Sequence, residues 1–140
     1  ARADIERLSG IIDADKALAV WERALRSQWA LAPVWVHGDV AGGNILIERE
    51  NKKLTAVIDF GCMGLGDPAC DLVIAWTFFE GTSRSIFKEQ MEMDPDTWSR
   101  ARGWALWKAN FELVACEDLS SEYALSRLNV INNILAEDAQ

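Results

Sequence analysis

The chain's only histidine, His37, stands in the run WVHGDVAGGNILI, directly before Gly38 and Asp39, and Asn44 follows five residues after that aspartate. A second polar point, Asp59, ends the run LTAVID and is followed by Phe60 and Gly61. Apolar β-formers flank both points. Strands bury what they can, and the turns between them are where chemistry is displayed. Asn44 and Asp59 offer two oxygen ligands, with the Asp39 carboxylate beside them. Magnesium takes oxygen ligands in near-octahedral geometry and completes its shell with water or phosphate oxygens, so a carboxylate plus an amide oxygen suits it.

The surrounding periodicity says how these residues are positioned. PVWV after Pro33 reads as a strand, NILIE as a second and LTAVID as a third, with the charged turn RENKK joining the last two into a hairpin. That hairpin sets Asn44, at the start of one strand, beside Asp59, at the end of the other. Residues 61–66 read as an irregular glycine-rich link. Helices are expected over 13–29, with Leu18, Trp21, Leu25 and Trp29 at three- and four-residue steps, and over 67–80, 83–92, 94–115 and 120–137. Asp13, Asp67 and Asp94 suit N-caps, and Pro68 and Pro95 suit first helical positions. Trp98, Leu106 and Trp107 are expected inward, as are Leu125, Leu128, Ile131 and Leu135. The start, ARADIERLSG, reads as a short polar lead-in.

A length of 140 residues, half of them hydrophobic, suits one globular domain. Fourteen basic against 22 acidic residues give a net charge of −8, which argues against a nucleic-acid partner. No run approaches the ~18 apolar residues of a membrane span. Cys62, Cys70 and Cys116 form no C-x-x-C pair, which implies reduced, partly buried thiols and a cytoplasmic protein rather than a zinc site.

The same residues also have plainer readings. His37 is accepted as a structural residue. Asp59 could be strand-end punctuation, and Asp67 is most simply a helix cap. Gly61, Gly64 and Gly66 have the wrong order for a dinucleotide fingerprint and precede no P-loop lysine, so they read as a flexible extension of the metal loop. The seven tryptophans read as core and helix-packing residues.

H-G-D-x-x-x-x-N at 37–44 followed by I-D-F-G at 58–61 resembles the catalytic and metal-binding segments of protein-kinase-like enzymes. Gly38 in place of arginine, with G-D-P-x-x-D-L at 66–72, resembles the aminoglycoside phosphotransferase family of small-molecule kinases. The similarity runs from about Trp35 to Trp76, and WSRARGWALWKA further on also resembles bacterial members. It implies that Asp39 is the catalytic base and that Asn44 and Asp59 hold Mg2+ and, through it, the phosphates of ATP or GTP. It implies that His37 braces the turn, while Asp67 and Asp71 hold the helix start and the catalytic loop rather than touch substrate.

The fold implied is α+β and mostly helical, the C-terminal lobe of a protein-kinase-like fold spanning 1–140. The glycine-rich cover, strand lysine and partner glutamate of an N-terminal nucleotide lobe are not found upstream of Trp35, so that lobe is expected to be absent and the fragment inactive alone. Self-association through the surface left by that lobe is expected. The implied reaction is transfer of a γ-phosphate to a small-molecule hydroxyl, with antibiotic resistance among the family's roles. Aminoglycosides, other antibiotics, choline, homoserine and sugar-like hydroxyls all occur as acceptors in the family. Glu112, Glu117, Asp118 and Glu122 lie around a helix junction where several could face one cleft, favouring a cationic or neutral acceptor; Glu137 and Asp138 read as a solvated end. Two alternatives stay open: a kinase-like small-molecule binding protein without transfer activity, and a helical interaction domain.

Overall fold

The computed structural model describes residues 1–137. The opening residues are more than a lead-in: they form α1 (Arg2–Arg7), which sinks Ile5 fully into the core. Helix α2 (Ala14–Ala24) starts where Asp13 accepts a hydrogen bond from the Lys16 N–H at 3.1 Å. It ends short of Trp29. Beyond it Ser27 Oγ accepts from Arg100 Nη1 at 3.0 Å, and the Trp29 indole N–H donates to the Ala32 carbonyl at 3.0 Å. These contacts use the residues in an extended link, and Leu25, expected inward, is exposed.

Strand β1 (Val34–Val36) precedes the turn that carries His37 and Asp39. The expected hairpin forms from β2 (Ile45–Ile47) and β3 (Leu54–Val57), antiparallel, with Ile45 opposite Val57, Leu46 opposite Ala56 and a bulge between Leu46 and Ile47. The link at 61–66 is not irregular throughout. It contains β4 (Gly64–Gly66), which pairs antiparallel with β1 so that Trp35 faces Leu65. Gly-Leu-Gly carries no alternation and little strand preference of its own; the ladder offered by β1 decides its conformation.

The helix expected over 67–80 is two pieces, a 3-10 turn at Pro68–Val73 and the short α3 (Ile74–Thr77). The tighter turn puts Asp71 where its carboxylate meets the His37 and Gly38 N–H groups, a tertiary demand that overrides helix periodicity. Helix α4 (Gly81–Met91) starts with a reciprocal capping box between Glu80 and Ser83. Helix α5 (Pro95–Val114) begins where Asp94 accepts from the Thr97 N–H at 2.9 Å, and α6 (Glu122–Glu137) closes the described chain.

Helix α5 runs through the centre. It buries Ala101, Ala105, Leu106, Ala109 and Leu113 against Val20 of α2, Leu72 of the 3-10 turn, and Ile131 and Ile134 of α6. Small residues let the helices close: a methyl group added at Gly103 would lie 2.4 Å from the Ala24 Cβ. The tryptophans divide: Trp76 lies in the core and Trp21 and Trp98 pack against it as expected, whereas Trp35 and Trp104 do not. Trp76 is buried, but Trp35 and Trp104 are exposed and the others are partly buried. Along α6, Ile131 and Leu135 face inward as expected, Leu128 is partly buried and Leu125 is exposed.

Candidate active site

Between β1 and β2 the chain makes the turn that carries His37, Asp39 and Asn44, and its shape follows from one carboxylate. Asp71, on the 3-10 turn, accepts from the His37 N–H at 2.7 Å through Oδ2 and from the Gly38 N–H at 2.8 Å through Oδ1. Gly38 has φ of +83°, and a Cβ there would lie 2.3 Å from the Cys62 carbonyl oxygen, so glycine is required on both counts. His37 is buried. Its Nδ1 accepts from the Asp39 N–H at 3.3 Å, which leaves Nε2–H to donate to the Ile58 carbonyl at 2.9 Å. Its ring also lies against Phe60, with centroids 4.7 Å apart. One imidazole thus ties the Asp39 turn to the strand end immediately before Asp59.

Asn44 pairs across that junction with Ile58, the residue before Asp59. The Ile58 N–H donates to the Asn44 carbonyl at 3.0 Å, extending the β2–β3 pairing. The Asn44 side-chain amide donates to the Asp39 carbonyl at 2.9 Å, so its Oδ1 is the atom left for a ligand. Asp59 is exposed and sits in the left-handed region, φ 64° and ψ 63°, a conformation that non-glycine residues adopt at a cost and often at functional sites. Among the described residues nothing donates to its carboxylate. An amide oxygen and an unpaired carboxylate at adjoining strand ends are a donor set that fits Mg2+.

Asp67 both caps and tethers. Its Oδ1 accepts from the Ala69 N–H at 3.0 Å, and its Oδ2 lies 2.6 Å from Nε of the buried Arg100, which also donates to Ser27 and Thr97. Asp39 is paired as well: Lys108 Nζ stands 2.6 Å from its Oδ1. A cleft of about 600 Å³ opens from Gly38, Asp39 and Val40 past Leu65 and Cys70 to Trp104, Trp107, Lys108, Phe111 and Glu112. Burial, with the charges of Asp71 and Asp67, pushes the Cys70 thiol up to about 11, so it stays a neutral thiol.

The acidic residues after Asp67 divide differently from expectation. Of the four at the helix junction, only Glu112 borders the cleft, and Arg127 holds it at 2.8 Å. Asp118 instead accepts from the Ser120 N–H and hydroxyl at 2.8 and 2.6 Å, while Glu117 and Glu122 are exposed away from the cleft. Glu137 is no solvated end. It accepts from Arg84 Nη1 at 2.9 Å and from the Trp76 indole at 3.2 Å, with Lys88 at 3.4 Å. Burial alone would raise its carboxyl, but the Arg84 hydrogen bond and the Lys88 charge win and hold it below its ordinary value. Asp138 lies outside the described residues.

Sequence reasoning missed the α5 wall: Lys108, Trp104, Trp107 and Phe111. The available signal was the four-residue spacing of Trp104, Lys108 and Glu112, which sets them on one helical face. Nothing in the run itself says that this face looks toward Asp39.

The fold is the mostly helical α+β region of a phosphotransferase scaffold. Residues 2–104 match the family described as "Phosphotransferase enzyme family", and the chain belongs to that family. Among solved structures, it superposes on the apo form of a thermostable mutant of aminoglycoside phosphotransferase APH(4)-Ia, with a TM-score of 0.59 and 19% sequence identity. The match covers 89% of this chain and 43% of that enzyme, so the chain spans less than half of its length. The shared architecture is the mostly helical α+β region. The search among curated proteins gave no match. No helix among the described residues is long and apolar enough to cross a membrane.

Proposed function

We propose that residues 1–140 form the C-terminal, catalytic lobe of an ATP- or GTP-dependent phosphotransferase that moves the γ-phosphate to a hydroxyl of a small molecule. Antibiotics and amino or sugar alcohols, neutral or cationic, are the acceptor classes this reading admits. Asp39 accepts the hydroxyl proton as the new oxygen–phosphorus bond forms and the nucleoside diphosphate leaves. Asn44 Oδ1 and Asp59 hold Mg2+, which when bound neutralises the phosphate charge. His37 and Asp71 position the turn, and Asp67 joins it to α5. Phosphoryl transfer asks a protein mainly for positioning and charge neutralisation, and rigid strand ends supply both.

The observation that carries this reading is the shared brace. Asp71 clamps two successive N–H groups of the Asp39 turn while His37 ties that turn to the strand end before Asp59. Trp35, Leu54 and Phe60, on or beside the strands, are exposed apolar side chains that would suit packing of a nucleotide lobe or self-association of the isolated lobe. A supply of nucleoside triphosphate places such an enzyme in the cytoplasm.

In the full-length enzyme Asp39→Asn keeps shape and loses basicity, so kcat should fall about 10²–10⁴-fold while KM changes little. Retention of more than a tenth of wild-type turnover would reject Asp39 as the base. One observation favours a second reading, a binding protein without transfer: Lys108 already occupies Asp39 Oδ1. That reading predicts no nucleotide-dependent product from wild type or from Lys108→Ala.

A further inference from the structure

We propose that the acceptor is a neutral hydroxyl compound with a flat apolar face, lying on the wall formed by Trp104, Trp107 and Phe111 of α5. The inference rests on reading the cleft beside Asp39 as the acceptor site, and it selects one class among the acceptors that reading admits.

The charge pattern of the cleft carries the first half. Three carboxylates border it, Asp39, Asp67 and Glu112, and each already has its own cation: Lys108 at 2.6 Å, Arg100 at 2.6 Å and Arg127 at 2.8 Å. A polycationic acceptor must displace these partners and exchange one ion pair for another, at the added cost of stripping water from its ammonium groups. The Arg100 and Arg127 pairs are well shielded from solvent, which makes that exchange harder. Cys70, with its thiol held neutral, adds no charge.

The shape and chemistry of the walls carry the second half. Trp107 stacks over Phe111 with ring centroids 6.0 Å apart and planes 22° apart, and Trp104 stands edge-on to Trp107 at 5.4 Å. Trp104 and Phe111 are 44% and 58% exposed, unusually open for rings of this size. Val36, Val40, Leu65 and Val73 add to the apolar lining, and of the charged groups beside it Asp39 and Lys108 pair with each other at the polar, Asp39 end while Asp67 and Glu112 are neutralised by Arg100 and Arg127. A volume of about 600 Å³ suits a drug-sized ligand whose apolar body is buried and whose hydroxyl alone meets the polar end.

Three probes separate the possibilities in calorimetric titrations of the full-length protein: 2-naphthyl β-D-glucoside, which is neutral with a flat face; glucose, neutral without one; and kanamycin, a polycation. The glucoside should bind at least about tenfold more tightly than either of the others, as an aromatic contact of this kind provides. Its affinity should hold between about 0.05 and 0.5 M salt, because little of it is Coulombic, and Trp104→Ala should weaken it. Tighter, salt-sensitive binding of kanamycin, or no binding of the glucoside, overturns the inference. So does a Trp104→Ala variant that loses self-association while binding the glucoside unchanged, since the wall would then serve a second copy of the chain. Nucleotide-dependent phosphorylation is scored separately. Glucoside binding without transfer to any acceptor defeats the phosphotransferase reading and leaves the binding class standing; transfer confined to kanamycin does the reverse.

Discussion

Asp67-Pro68 and Asp94-Pro95 are the same two residues giving the same local signal, and they end in different structures. Asp94 caps a regular helix of 20 residues, and its bonds stay within the first turn, to the Thr97 N–H and hydroxyl. Asp67 caps a 3-10 turn, and its other oxygen reaches 33 residues along the chain to Arg100, on the helix that Asp94 starts. The contrast extends to their surroundings. Residues 95–137 are held by apolar burial on long helices, whereas residues 34–73 consist of three- and four-residue strands and tight turns joined by bonds to Asp71, His37 and Asp67. The apolar half can lose one contact and keep its shape. In the polar half a few side chains, Asp71, His37 and Asp67, each hold several partners, and removing one exposes an unmet charge or N–H.

If that contrast holds, the two caps should differ in mutational cost. Asp67→Ala strips the buried Arg100 of its carboxylate and should destabilise by about 3 kcal/mol. Turnover of the full-length enzyme should fall too, because α5 loses one of its two ion-pair ties to the site and keeps the Lys108–Asp39 pair. Urea denaturation together with steady-state assays checks both parts; a loss no larger than a simple cap's would erase the distinction between the two aspartates.

Next in size is Gly38→Ala. Positive φ and the approach to the Cys62 carbonyl act together, so about 2–3 kcal/mol should be lost. The peptide that presents Asp39 would shift with it, so melting temperature and kcat should fall in the same variant. A protein of normal stability and full turnover would mean that the turn is not constrained as described.

The smallest effect belongs to Asp94→Ala, about 1 kcal/mol by loss of the cap, with kcat of the folded enzyme unchanged. Hydrogen bonds from the Thr97 hydroxyl and N–H hold the Asp94 carboxyl below its ordinary 3.8. A depressed folded value means the cap's contribution is fully present above pH 3.8 and is lost as pH falls through the folded titration. Wild type and variant should therefore differ most near neutrality and converge in acid, which denaturant titrations at several pH values would reveal.

Much of this division was legible in the sequence. Alternating apolar residues around RENKK specified the β2–β3 hairpin, and aspartate before proline specified two element starts. The polar run from His37 to Asn44 stood out because strand-formers flank it. What stayed hidden needed partners distant in the chain. The strand Gly64–Gly66 has no alternation and exists through β1. The break after Val73 follows a turn that brings Asp71 to His37, and nothing within residues 67–80 encodes that meeting. Lys108 reads as an ordinary helix lysine until α5 is set beside the turn. Counting carboxylates after Glu112 suggested an acidic cleft, because the cations that meet them, Arg127 and Arg84, were invisible as partners.

In the proposed function the His37 brace brings Asn44 and Asp59 to one magnesium ion beside Asp39. A crystal structure of the full-length enzyme with Mg2+ and a non-hydrolysable ATP analogue tests it most directly. The Asn44 Oδ1 and an Asp59 carboxylate oxygen should both lie about 2.1 Å from a single octahedral ion, with analogue phosphate oxygens completing its shell. Side chains of Asn44 and Asp59 directed to opposite faces of the hairpin, or an ion held without either of them, would contradict it.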